Sequence, residues 1–174
     1  MISLDRDPAN LVTEQQVIDL LNKELGEGAV ARYNSANYLY FGRRTKNIQF
    51  RPGLSLHDML TKNKYEQISI MRVRLIADLI NIIDILGEPF EIVRARKTRT
   101  CRRTENEYQE QQHQSGDAVD IRPIKFKSKP AFKDLVKATR LGKEKGGRVI
   151  YSTYIHLDSG YNRLERPNKR KKAD

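Results

Sequence analysis

Two of the three histidines in this chain stand in segments that can supply metal ligands. His113 opens the run His113-Gln114-Ser115-Gly116-Asp117-Ala118-Val119-Asp120-Ile121, with Asp120 seven positions on. His156 stands within Tyr154-Ile155-His156-Leu157-Asp158. A neutral imidazole offers a nitrogen lone pair and a carboxylate offers an anionic oxygen. Two of the first and one of the second make a three-ligand site with one position left for water. That is the arrangement of a catalytic zinc, whereas a structural zinc is closed by four protein ligands.

The elements that must position these residues follow from local chemistry. Glycine opens turn geometries closed to other residues, so a turn is expected at Ser115-Gly116. If a strand follows, Ala118 and Asp120 share one face while Val119 and Ile121 take the other. In the second segment Ile155 and Leu157 point one way, and Tyr154, His156 and Asp158 the other. Two converging strands then present an apolar face to a core and a polar face to a site. Without a metal, the same alternation describes two half-exposed strands.

The pattern His-x-x-Gly-x-Ala-Val-Asp-Ile, followed about thirty-five residues later by aromatic-aliphatic-His-aliphatic-Asp, resembles the zinc peptidases of the D-Ala-D-Ala carboxypeptidase and hedgehog fold. The similarity is greatest to the small murein peptidases of bacteria, phage particles and lysins. Gly53-Leu54-Ser55-Leu56-His57-Asp58-Met59-Leu60 resembles the opening segment of that family. Residues 72–86 followed by Gly87-Glu88-Pro89-Phe90-Glu91-Ile92-Val93 resemble its first long helix, turn and strand. Residues 131–147 resemble the helix before the strand that carries the last His. The resemblance covers about residues 53–163.

That resemblance implies an α+β fold, with a small antiparallel sheet flanked by helices and zinc on the exposed side of the sheet. It makes His113, Asp120 and His156 the zinc ligands. The implied activity is hydrolysis of stem or cross-link peptides of peptidoglycan by a metal-activated water, with a carboxylate moving its proton. The chain departs from the family at three places. Gln111 stands where a Ser is common, two residues before the first His. The Arg that would hold a substrate carboxylate or the oxyanion falls near Lys97, flanked by Arg96 and Arg99. Lysine lacks the planar fork of arginine, so bidentate recognition would need one of those neighbours. Thr153 replaces the general-base Glu three residues before the last His, which leaves Asp158 as the nearest carboxylate. On its strand, Asp158 would either reach the activated water or orient a ligand from behind. Glu105, Glu107, Glu110 and Asp117, expected on a loop, are the other acids near His113. The alternative is a non-catalytic structural or tail-associated virion protein that keeps the fold.

Composition sets the outer bounds. The 174 residues suffice for one ordinary domain. No apolar run reaches the length of about eighteen residues that a spanning helix needs. The opening Met1-Ile2-Ser3-Leu4-Asp5-Arg6-Asp7-Pro8 has neither the basic start nor the apolar core of a secretory signal. The expectation is a protein made in the cytoplasm that reaches the wall in a phage particle or on lysis. The single Cys101 excludes an internal disulfide. His57 has no partner at ligand spacing and is expected to be structural.

The net charge of +11 is concentrated in three places. These are Arg94 to Arg103, the lysines 125, 127, 129, 133 and 137, and the tail from Arg163 to Lys172. Such an excess favours polyanions in general: nucleic acid, anionic cell-wall polymer or an acidic partner, which under the family resemblance would be another virion protein. Neither a recognition helix nor a stacking platform is legible, so nucleic acid rests on charge alone.

The organisation reads as a segment 1–52, a peptidase-like domain 53–163 and a basic tail 164–174. In the first, Thr13 and Gln16 form a capping-box pattern before Val17, Ile18, Leu20, Leu21 and Leu25. Tyr38 to Gly42 and Ile48 to Phe50 read as a hairpin or two edge strands. This segment either packs on the domain or docks a partner. The strongest helix signal runs over 70–86, apolar nearly all round except for Arg74, Asp78, Asn81 and Asp84. Such a helix is buried on most sides. Gly87 and Pro89 are expected to end it.

Overall fold

A computed structural model describes residues 11–60, 68–95, 107–124, 129–143, 146–159 and 163–165. Among these the chain is α+β, with small, mainly antiparallel sheets and four α-helices. Helix α1 (Glu14–Leu25) is followed by strands β1 (Val30–Tyr33), β2 (Ala36–Gly42), β3 (Gln49–Arg51) and β4 (Leu54–Ser55) and a 3-10 turn (Leu56–Met59). Strand β5 (Ile68–Arg72), helix α2 (Val73–Leu86) and strand β6 (Phe90–Arg94) come next. Helix α3 (Glu107–Ser115), strand β7 (Ala118–Pro123) and helix α4 (Lys129–Leu141) precede β8 (Gly147–Ile150), β9 (Ile155–Asp158) and β10 (Arg163–Glu165).

The main sheet has the order β10-β8-β9-β7-β6 and is antiparallel except for the β10–β8 edge. Val119 and Ile121 of β7, with Ile155 and Leu157 of β9, are fully buried in the hydrophobic core beneath α2 and α4. The expected alternation therefore holds, and Ala118, Asp120, His156 and Asp158 are left for the other side.

Helix α2 starts three residues later than its apolar pattern suggests. Ile70 and Met71 instead pair with Tyr40 and Leu39 as part of β5. Both residues are β-compatible, and the ladder to β2 gives their backbone groups partners that a first helical turn lacks. The polar stripe of α2 is fully engaged. Asn81 bonds both backbone groups of Val12, at 2.7 and 3.0 Å. Asp84 accepts a bidentate pair from Arg51, at 2.7 and 2.8 Å. Asp78 accepts from Arg74 and Lys143, each at 3.3 Å. A helix buried almost all round can carry polar residues only if each meets a partner.

The segment before residue 52 packs on the rest. Thr13 and Gln16 close their capping box, and Val17 and Leu21 of α1 enter the same hydrophobic cluster as Ile76 and Leu157. Strand β2 is the centre of a three-stranded sheet, β1-β2-β5, and not an edge. The unexpected neighbour is β1, joined to β2 through Asn34 and Ser35, which have φ of 47° and 63°. Two left-handed residues make the tight turn whose twist suits a hairpin. Strand β3 pairs with β4.

The turn between α3 and β7 is fixed by a close approach. Gly116 has φ of +79°, and a Cβ there would lie 2.4 Å from the Ile70 carbonyl oxygen. Its own carbonyl accepts from the Arg72 backbone N–H at 3.0 Å. Gly87, which ends α2, has φ of +75° but open space where a Cβ would stand. Left-handed backbone costs a non-glycine residue about 1–2 kcal/mol. Gly87→Ala should lose about that much stability in denaturant unfolding, and Gly116→Ala clearly more because β5 must also give way. Equal losses would show that the approach to Ile70 imposes no constraint.

Candidate metal centre

The site is a row across three strands. Asp120 of β7 is paired with His156 of β9 on one side and with Arg94 of β6 on the other. A register shift between Ile92 and Arg94 creates this row. Continuing the Ile92–Ile121 pairing without a bulge would set Val93 opposite Asp120. The extra residue changes the alternation and brings Arg94 there instead, a known use of bulges beside functional sites. His113 does not lie on a strand. It belongs to the last turn of α3, and the Gly116 turn swings that helix over β7 so that the imidazole meets Asp120.

Three ligand atoms converge. His113 Nε2 lies 3.2 Å and His156 Nδ1 2.8 Å from Asp120 Oδ1. One ligand atom from each residue lies within 4.8 Å of the others, and the two rings meet edge to face with centroids 5.0 Å apart. A tetrahedral ion with bonds of about 2.0–2.1 Å spaces its ligand atoms by about 3.3 Å, so this cluster is near the size an ion needs. The far nitrogen of each ring is also placed. His113 Nδ1 lies 2.9 Å from the Ala95 carbonyl, which can only accept. In the neutral ring Nδ1 therefore carries the proton, and the Nε2 lone pair faces a carboxylate oxygen. Two acceptors in contact require a cation between them, either a proton or a metal ion. The buried His113, Asp120 and His156 group can hold a metal ion.

Behind His156 stands a carboxylate, outside hydrogen-bond distance. The ring's Nε2 is buried without a hydrogen-bond partner, and Asp158 Oδ2 lies 3.6 Å away. Asp158 Oδ1 accepts from the Gly147 backbone N–H at 3.1 Å, and the residue is wholly buried. Carboxylate, imidazole and ligand position thus form the sequence by which metal-binding histidines are commonly oriented. Of the two roles that the sequence allows Asp158, this placement corresponds to the orienting one, because the carboxylate faces the ring edge opposite Nδ1.

Electrostatics agree with the geometry. Burial pushes the Asp120 carboxyl up, but hydrogen bonds and charge from His113 and His156 more than reverse this and hold it at about 2. Burial disfavours a charged His156, yet Asp120 and Asp158 outweigh it and raise its pKa. Burial and the Asp120 charge together push the Tyr154 phenol up, so it stays a protonated donor beside the site. Arg94 Nε is 3.7 Å from Asp120 Oδ2, and its side chain is 38% exposed.

The side of the sheet expected to be exposed is therefore covered at the ligands, whose side chains are only 2–5% accessible. Arg96, Lys97 and Arg99, expected to hold substrate or oxyanion, lie outside the described residues, as do Cys101, Glu105, Lys125, Lys127 and the tail from 166. Glu107 and Glu110 fall on α3 and not on a loop. Asp117 accepts from Tyr38, Ser115 and Ser159 and pairs with Arg72, which makes it a tie between sheets. His57 Nε2 contacts the Thr45 carbonyl at 2.8 Å and is structural. Sequence reasoning missed Arg94 as a site residue, and its basic neighbourhood was the available signal. The Ala95 carbonyl left no signal, since every residue has one. No family model matches the chain, and no curated protein or solved structure matches it either.

The raised pKa of His156 has a consequence for the metal-free protein. A group whose pKa rises on folding contributes stability below its unfolded value, here 6.5, and loses it as pH climbs through the folded value. Chelator-treated protein should therefore unfold at a lower temperature at about pH 9 than at about pH 6. His156→Gln should flatten that difference. An unchanged slope in the variant would place the titrating group elsewhere.

Proposed function

We propose that this chain is a zinc-dependent peptidase of the hedgehog and D-Ala-D-Ala carboxypeptidase type, acting on stem or cross-link peptides of peptidoglycan in a phage setting. The observation that carries this reading is the convergence of His113 Nε2, Asp120 and His156 Nδ1, with the Ala95 carbonyl bonded behind His113 and the Asp158 carboxylate 3.6 Å behind His156. The donor set supports zinc among the common ions, since two imidazoles and one carboxylate with an open position match its catalytic sites. Bound there, zinc would supply an activated water and a polarised scissile carbonyl.

The protein's own residues divide the remaining work. Asp120 lies between the two imidazoles and draws Arg94 towards the same oxygen pair. Arg94 is accessible enough to receive an anion, either a substrate carboxylate or the charge that develops on the carbonyl oxygen. Tyr154 offers a second protonated donor at the rim. The Asp158 charge, 3.6 Å from Nε2, favours the His156 tautomer that frees Nδ1. Proton transfer then falls to another carboxylate. Glu110, one helical turn before His113 on α3, is the first to test.

Protein purified without a metal-binding tag should contain one zinc per chain by elemental analysis, and His113→Ala or His156→Ala should lose most of it. The zinc-loaded protein should release stem-peptide fragments from purified murein. Asp158→Asn should weaken zinc binding by about 10–100-fold, as an orienting carboxylate does. Full zinc binding with a rate loss of about 10²–10⁴ would instead make Asp158 the general base. Zinc without turnover on several murein chemistries would favour a structural virion protein that has kept the site.

A further inference from the structure

On the face of the main sheet that carries the candidate ligands, β6, β7 and β9 present their side chains in successive rows. The central row is Arg94, Asp120 and His156. On one side of it Ala118 and Asp158 are paired across β7 and β9, and both are wholly buried. On the other side Glu91 of β6 is paired with Arg122 of β7, and their side chains are 38% and 39% exposed. Residues two apart on a strand share a face at a spacing of about 6.6 Å, so this open row adjoins the ligands. The β7–β9 register continued by one residue sets Tyr154 opposite Arg122. Tyr151, across the hairpin from β8, stacks on Tyr154 with ring centroids 4.4 Å apart and planes inclined at 19°. A substrate that reaches the ligand row has room over Arg122 and the tyrosines, and none over Ala118 and Asp158.

The open row also continues past the sheet. Glu91 lines a cavity of about 590 Å³, with Phe90 and Ile92 beside it on β6 and His57 and Asp58 of the 3-10 turn among the other walls. That volume is in the range of ligand-binding clefts.

We propose that Arg122 is a specificity-determining residue: beside the candidate metal ligands, with the stacked Tyr151 and Tyr154 as the adjoining wall, its guanidinium takes a carboxylate of the substrate peptide. Nε and Nη2 each lie 2.7 Å from the same Glu91 oxygen, Oε2. A guanidinium has five N–H donors in a planar fork, so one oxygen leaves donors for a second carboxylate. An ion pair this exposed is weak, and a ligand can share or replace it at little cost. Arg94, 38% exposed, is a second guanidinium on the same face, so the open part of the site favours an anionic peptide. The peptide class rests on the hydrolase reading above, whereas the preference for a carboxylate comes from Arg122.

The test is equilibrium binding of a synthetic stem tetrapeptide, and of derivatives in which one carboxylate at a time is a carboxamide. Chelator-treated full-length protein is used, so that nothing is cleaved. One amidation should weaken binding to wild type by about tenfold or more, the loss expected for a charged hydrogen-bond partner. Arg122→Gln should bind the parent peptide more weakly by a similar factor and be indifferent to that same amidation. If Arg122→Gln does not fold, Arg122→Lys keeps the charge without the fork and should reduce the penalty to about threefold. An amidation penalty undiminished in the Arg122 variant, or no binding of any of these peptides, would overturn the subsite. Wild type that shows the Arg122-dependent preference yet releases no fragments from murein when loaded with zinc would remove the hydrolase reading and leave the carboxylate subsite standing.

Discussion

Asp120 is a carboxylate almost wholly removed from water, and the surrounding fold is arranged so that it can stay charged there. A buried anion is tolerated when cations and donors meet it closely. Asp120 has an imidazole on each side and a guanidinium across the neighbouring strand. Each partner comes from a different element, so the constraint ties together β6, β7, β9 and α3. The Gly116 turn brings α3 into position, the bulge in β6 supplies Arg94, and the β8–β9 hairpin sets His156 in register. What satisfies one buried charge also assembles two imidazole nitrogens and an oxygen at the size of an ion.

The apolar half of the molecule makes this possible by being rigid. Helix α2 has a fully engaged polar stripe and an otherwise buried surface, so it fixes the sheet from beneath and α1 and the β1-β2-β5 sheet from the side. Through Asp78 the stripe also meets the buried Lys143 that follows α4. Close packing transmits such placement because interiors deform little.

The parts legible in the sequence were those set by local rules. The alternation of Val119, Asp120 and Ile121, and of Ile155, His156 and Leu157, is a property of strands and appears in the structure. The capping box at Thr13 and the end of α2 at Gly87 were accessible for the same reason, whereas the grouping of His113 and Asp120 with His156 was expected from the family resemblance. What was not legible depends on partners distant in sequence. Ile70 and Met71 read as helix because their apolar pattern suits one, but the ladder to Tyr40 and Leu39 decides otherwise. A one-residue bulge is invisible in composition, so Arg94 was overlooked in favour of Arg96, Lys97 and Arg99. The burial of Asp158 against Gly147 could not be anticipated from its spacing to His156, which only places the two on one face.

X-ray absorption at the zinc edge tests the central claim most directly, because it reads the ligand atoms themselves. Protein reconstituted with one equivalent of zinc should show a first shell of nitrogen and oxygen at about 2.0–2.1 Å with the multiple-scattering signature of two imidazoles, and His113→Ala should reduce that signature. A sulfur shell at about 2.3 Å, which would implicate Cys101, or a spectrum unchanged by His113→Ala, would contradict the assignment of His113, Asp120 and His156 as the metal ligands.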